Sequence, residues 1–464
     1  MSGINVYAHY AHEGDYPNLD YAGACGRLGK AISCKTIDRG ENTDEIPFEK
    51  LHELIRSSFP HVMASSTFEE VGRNLLITCP GTDPSLPCAL LLAHQDVVPV
   101  VPGTEGEWCH DAFAGDMDES FIWGRGALDI KDMLMGELEA LEYLISQGKE
   151  LRRTVILAFG ADEETASAGA ARLAALLRER GVHAAWLLDE GTTTMFDGAM
   201  WGAKGRVLSD ICISQKGYLD LRLDSHGKGG HSSNPFGGTS LQRMCVAISR
   251  ISDSLPAPHL TPIVRDTFRA LAPYISEEPL RTLVKDVDAN AEKIAALAAS
   301  RRDLYPFVAT TMAVDVLEGG SSTPNVMPGD VSATINFRLL PGTTAQDVLA
   351  WVEGAIRGTD VTATIVHATP AGRMDSTCGP GYAEVAEALE HFYHNVDVVP
   401  SFVCGGTDAI RYEAICDSIL RVIPFRPTPE EEATGVHGVN ERISKRTYAQ
   451  GIRVLVRLLE KTVL

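Results

Sequence analysis

Four short runs limit what this chain can fold into. "NLLITC" (74–79), "CALLLAH" (88–94), "TVILAFG" (154–160) and "AAWLLD" (184–189) are apolar almost from end to end. A half-buried strand alternates apolar and polar residues; a run that is apolar throughout is buried on both faces. Helical patterns lie between the later runs. "IKDMLMGELEALEYLISQG" sets Met133, Leu134, Leu138, Leu141 and Leu144 at helical spacing, and "GAARLAALLRERG" follows the third run. Strands alternating with helices predict an α/β fold with a mostly parallel central sheet.

The pattern changes near residue 208. "ICISQKGYLDLRLDS" reads as a strand with a polar face, followed by the Gly-rich "HGKGGHSSNPFGG" and the helix "TSLQRMCVAISRIS". After a mostly helical stretch at about 254–306 come two strands, a helix and a strand. Without that stretch the order is β-α-β-β-α-β, the ferredoxin-like arrangement. The expected organisation is a catalytic domain in two parts, 1–207 and 371–464. An inserted α+β lid or dimerisation domain spans 208–370 and carries the helical insertion.

Polar residues collect where the apolar runs stop. The second run ends in His94-Gln95-Asp96, "FIWGRGALD" ends in Asp129, "VILAFGAD" leads to Glu163-Glu164, and "AWLL" leads to Asp189-Glu190. In an open α/β sheet, ligands bind beyond the carboxyl ends of the strands, so these groups should converge. Histidine and carboxylate without cysteine suit Zn²⁺, with Mn²⁺ or Co²⁺ as substitutes. Asp129, lying between two ligand sets, could bridge two ions about 3.5–4 Å apart. Asp96 is two residues from His94 in an extended segment, so it can accept the second ring N–H and fix the tautomer. Of the Glu163-Glu164 pair, one can bind metal while the other takes a proton from an activated water.

Bulk properties exclude other classes. With 62 acidic against 41 basic residues, the net charge of −21 argues against nucleic-acid or anionic-membrane partners. Ten scattered cysteines with no CxxC read as small buried thiols in a reducing compartment. The N-terminal residues lack a basic-then-apolar leader, and no apolar run nears the ~20 residues of a membrane span. The cytoplasm is therefore the expected location.

"AHQDVVPV", "FIWGRGALDIKD", "FGADEE", "LLDEG", "GGHSS", "TPNVMPG", "GGTDA" and "HGVNER" occur in this order. The ordered set resembles the zinc-dependent aminoacylase, carboxypeptidase S and glutamate carboxypeptidase family of co-catalytic metallopeptidases. The 254–306 insertion is most similar to the carboxypeptidase S branch. The resemblance implies a di-zinc exopeptidase fold with two Zn²⁺ per subunit. His94 and Asp189 would bind one ion, Glu164 and His437 the other, and Asp129 would bridge. Asp189 is taken over its neighbour Glu190. Glu163 would be the general base acting on a metal-bridging water, with Asp96 orienting His94. His231 would stabilise the oxyanion, often in a partner's active site. Asn325, Arg338 and the Gly405-Gly406-Thr407 loop would bind substrate carboxylate or oxyanion. The implied reaction is hydrolysis of an amide bond beside a free carboxylate, in an N-acyl amino acid or dipeptide, by a homodimer. Carnosinase-like dipeptidase and desuccinylase activities are alternatives. A non-catalytic metal-binding relative is disfavoured because all five ligand positions and Glu163 are present. Cys109 and His110 lie near this set without an assigned role.

Overall fold

In the computed structural model, residues 9–192, 196–427 and 434–464 are described. A nine-stranded sheet forms the centre. Parallel pairings run from Val155–Gly160 through Cys88–His94 and Ala184–Asp189 to Ile419–Arg421. Asn74–Cys79 and Thr67–Val71 add antiparallel strands at one edge. Val207–Gln215 and Val396–Val403 pair in parallel toward the other edge.

The apolar runs behave as two-sided strands. Ala89, Leu91 and Ala93 enter the larger core on one face of the sheet, while Cys88, Leu90 and Leu92 enter a second core on the other. Successive side chains point to opposite faces, so a strand covered on both sides has no polar position. A leucine buried this way contributes about 2–5 kcal/mol relative to alanine. The helix Lys131–Ser146 is buried along almost its whole first half, between the sheet and the C-terminal helix Lys445–Thr462. Gly136 is required there, because a Cβ would lie 2.6 Å from the Phe425 ring. Ser444 caps the C-terminal helix by accepting the Thr447 N–H.

A separate four-stranded antiparallel sheet forms the lid, in the order Thr311–Gly319, Val331–Leu339, Gly217–Ser225, Val361–Thr369. Helices Ser240–Asp253 and Ala345–Ala355 cover one face, which completes the expected β-α-β-β-α-β unit.

Two expectations need correction. The lid sheet does not begin at 208. Val207–Gln215 is a fully buried strand of the large sheet, and the lid's first strand is Gly217–Ser225. Nor does the helical insertion belong to the lid. Leu260, Ile263, Phe268, Leu271 and Ile294 join the large sheet's core, and Thr267 donates to the Pro400 carbonyl. All ten cysteines are free thiols, and six are buried; Cys109, Cys245 and Cys378 are exposed, contrary to the expectation of small buried thiols. The helix Ser240–Asp253 buries Met244, Ala247 and Ile251, leaving Cys245 off the apolar stripe. Among the described residues, no helix is long and apolar enough to cross a membrane.

Candidate active site

The carboxyl ends of three parallel strands meet at one place. His94 is the last residue of Cys88–His94, Glu163 and Glu164 lie in the turn after Val155–Gly160, and Glu190 follows Ala184–Asp189. Asp129 reaches the same point from just before the helix Lys131–Ser146. Its Oδ1 is 3.0 Å from His94 Nε2, and its Oδ2 is 2.9 Å from His437 Nε2. Glu164 Oε1 also lies 2.9 Å from His437 Nε2, and Glu190 Oε1 is 3.8 Å from His94 Nε2. Two overlapping donor groups result: His94-Asp129-Glu190 and Asp129-Glu164-His437. Asp129 belongs to both.

The donor set suits a pair of divalent cations. Three carboxylates and two imidazoles converge, and apart from His94 with Asp96 their ion pairs among the described residues are with one another. Packed carboxylates of this kind are costly without compensating positive charge. Burial pushes Glu163 and Glu190 well above the usual carboxylate range, and neighbouring acids add to the effect. Burial would also raise Asp129, but hydrogen bonds from His437 and His94 hold it below its ordinary value. His437 is pushed up to about 10 by its hydrogen bonds to Asp129 and Glu164.

The geometry corrects the expectation for Asp189. Its Oδ1 accepts the Glu190 N–H at 2.9 Å, and its Oδ2 accepts the Ala409 N–H at 2.8 Å. The carboxylate is occupied on the far side of the strand end, and Glu190 faces His94 and Asp129 in its place. Asp96 also differs in detail. His94 Nδ1 lies 2.9 Å from the Asp96 backbone carbonyl but 3.6 Å from its carboxylate. The buried carboxylate accepts the backbone N–H groups of Glu163 and Glu164, each at 3.1 Å. It orients the glutamate pair, while the carbonyl orients the histidine.

A model of the peptidase family M20/M25/M40 matches residues 90–461. The chain belongs to this family. A probable carboxypeptidase S-like protein of Dictyostelium discoideum is 29% identical over 94% of this chain and 84% of its own length. An N-fatty-acyl-amino acid synthase/hydrolase of Mus musculus is 31% identical over 93% of this chain and 86% of its own. An M20-family metallo-carboxypeptidase structure from Sulfolobus solfataricus has a TM-score of 0.64 at 19% identity, covering 94% and 98% of the two chains. The protein is a metal-dependent peptidase or amidohydrolase.

In this M20 enzyme a cavity of 580 Å³ opens from Glu163 toward the lid. Gly405, Gly406 and Thr407 line it on the catalytic side, and Tyr218 and Arg338 on the lid side. Gln215 Oε1 accepts the Thr407 N–H at 3.3 Å, which holds the glycine loop. The Arg338 guanidinium lies 4.7 Å over the Tyr218 ring, and its Nε donates to Asn336 at 3.3 Å. Asn336 in turn donates to Asp220, which also accepts the Tyr218 hydroxyl. His231 and Asn325 are not brought to this cavity within one chain. They sit together on an exposed part of the lid, where the Ser232 N–H donates to the Asn325 carbonyl.

Sequence reasoning missed one pair of residues. The Glu441 Oε1 accepts the N–H groups of Gly126 and Leu128, each at 2.9 Å, beside Asp129. Its Oε2 pairs with Arg125, whose other nitrogen donates at 3.0 Å to the His437 carbonyl. This buried pair joins the segments bearing Asp129 and His437. Both residues were visible in "GRGALD" and "HGVNER", but a charge inside a motif does not reveal its partner. Cys109 anchors the same region, donating its backbone N–H to Asn440 at 2.6 Å. His110 stacks on Trp123 and takes no part in the donor groups.

Proposed function

We propose that the enzyme hydrolyses the amide bond of N-acyl amino acids or dipeptides that carry a free carboxylate, using two Zn²⁺ ions per subunit. The observation that carries this reading is Asp129, whose two carboxylate oxygens face two different histidines beside Glu163. His94, Asp129 and Glu190 would hold one ion, and Asp129, Glu164 and His437 the other; Mn²⁺ or Co²⁺ could substitute. When bound, such a pair supplies Lewis acidity and brings a water's pKa toward neutrality.

The chain's own groups do the rest. Glu163 takes the proton from the attacking water and returns it to the leaving amine. Asp96 keeps Glu163 and Glu164 in register through their backbone N–H groups. Arg338 receives the substrate carboxylate across the cavity, where a guanidinium fits a carboxylate with two parallel hydrogen bonds. The Gly405-Gly406-Thr407 loop offers backbone N–H groups to the developing oxyanion. N-acyl amino acids rank first as substrates because a relative named for N-fatty-acyl-amino acid synthesis and hydrolysis aligns over nearly the whole chain.

A homodimer completes this reading. His231 and Asn325 are exposed on the lid, and the edge strand Thr311–Gly319 leaves Val314, Val316 and Leu317 open to solvent. A second copy could cover that edge and bring its His231 to this cavity. A cytoplasmic location accords with ten unpaired thiols.

The test is amine release from a panel of N-acyl amino acids and dipeptides, with Glu163→Gln run in parallel. The variant should keep its metals and lose about 10²–10⁴-fold in kcat. Full activity in the variant would remove Glu163 from the mechanism. Release from dipeptides alone would shift the reading to a dipeptidase.

A further inference from the structure

A third set of metal-ligating side chains lies apart from the Asp129 cluster. His12 and Asp15 occupy the turn after the short strand His9–Tyr10, and His391 lies in the last turn of the helix Tyr382–Phe392. Their donor atoms all lie within 4.8 Å of one another. His391 Nε2 is 2.9 Å from Asp15 Oδ2. The His12 and His391 rings stack, with centres 4.0 Å apart and planes inclined by 16°, so the exposed His12 ring must turn about its Cβ–Cγ bond to aim its in-plane lone pair at an ion shared with His391.

The surrounding backbone fixes this arrangement. The Asp15 N–H closes the turn onto the His12 carbonyl at 2.9 Å. The Asp15 carbonyl accepts from the Tyr21 hydroxyl at 3.1 Å and from Arg453 Nε at 3.4 Å. The Ala11 N–H donates to the Phe392 carbonyl at 2.9 Å, tying the turn to the residue after His391. Gln450 donates to the carbonyls of both Ala11 and Phe392. His12 itself stands at φ 51°, the left-handed region that side chains with a Cβ rarely adopt. The donors are therefore presented by a braced framework, although they come from segments nearly the length of the chain apart.

Among the described residues, the Asp15 carboxylate makes its one ion pair with His391, and the hydrogen bond from Arg453 to Asp15 goes to the backbone carbonyl. Two imidazoles and a carboxylate are the donor set of a borderline-soft ion such as Zn²⁺, Ni²⁺ or Cu²⁺. Mg²⁺ and Ca²⁺ prefer oxygen throughout. We propose that His12, Asp15 and His391 bind a divalent transition-metal ion at a site separate from the catalytic pair. Three protein donors leave room for water to complete the shell. An ion here joins the N-terminal turn to the end of a catalytic-domain helix. It stabilises the folded chain by mass action, since the unfolded chain has no such site.

The experiment starts from enzyme already loaded with its catalytic metals. It is dialysed against Zn²⁺ alone, and bound metal, thermal unfolding and hydrolysis are measured. Wild type should take up one further equivalent and unfold at a higher temperature. His12→Gln and His391→Gln should each lose that equivalent and the thermal gain while keeping the hydrolysis rate. His12 is exposed, so its variant should keep the fold even if His391→Gln does not. His183→Gln, which breaks an exposed histidine–Asp417 pair elsewhere, should keep the extra equivalent. The proposal is overturned if wild type takes up no further metal, if His12→Gln retains it, or if His183→Gln loses it as well.

Discussion

Asp189 and Glu190 are adjacent acids, and the pleat of their strand sends them in opposite directions. Asp189 Oδ2 holds the Ala409 N–H at the start of the segment after the Gly405-Gly406-Thr407 loop. Glu190 faces His94. The two should fail differently when neutralised. Glu190→Gln should weaken metal binding at least as much as the ~10–100-fold typical of losing an outer-shell partner. Asp189→Asn should keep its metal and raise KM, because its amide would set an N–H against a backbone N–H and displace the glycine loop. Metal analysis and steady-state kinetics on the two variants separate these outcomes; metal loss confined to Asp189→Asn would reverse the assignment. A sequence states that two acids end a strand. Which of them faces the ligands depends on where the strand's last paired residue falls.

At the scale of elements, the strand ends were legible because both faces of the large sheet are covered, which leaves polar residues only at the termini. The lid boundary was not, because two strands of different sheets run together with only Lys216 between them. Val207–Gln215 is buried throughout, whereas Gly217–Ser225 alternates. The helical insertion lies within the lid's stretch of chain, yet its apolar face packs on the other core. The Arg125–Glu441 pair is a long-range contact that no local pattern could reveal. It binds one loop by two backbone N–H groups and the other by a carbonyl, so it should act on both metal-bearing segments together. Glu441→Gln keeps an acceptor but weakens the charge pair. It should lower metal affinity about 10–100-fold, with kcat restored at saturating metal. A variant that loses thermal stability while its metal affinity is unchanged would make the pair structural alone.

At the scale of the whole molecule, Lys216 stands where the large sheet, the helical insertion and the lid meet. Its Nζ donates to the carbonyls of Pro306 and Ala309 at 2.8 and 2.9 Å. Burial lowers its pKa from the usual 10.5 to about 8. Between those values the unfolded chain binds more protons than the folded one, so stability rises with pH. The contribution is fully present above about pH 10.5 and is lost as pH falls through about 8, an effect of roughly 3 kcal/mol at about 1.4 kcal/mol per pKa unit. Lys216→Met should cost stability by stranding two carbonyls, but its denaturation curves should lack that rise; an identical pH dependence in both proteins would refute the assignment. The proposed dimer makes a sharper demand on the assembly. If His231 serves the partner's cavity, each active site draws Glu163 from one chain and His231 from the other. His231→Ala and Glu163→Gln should each be nearly inactive alone. Mixed and allowed to exchange subunits, they form heterodimers in which one site regains both residues. Activity should then reappear in the mixture although neither component has it. Sedimentation as a monomer, or a fully exchanged mixture that stays inactive, would place His231 outside the partner's active site and leave the lid edge without a catalytic reason to pair.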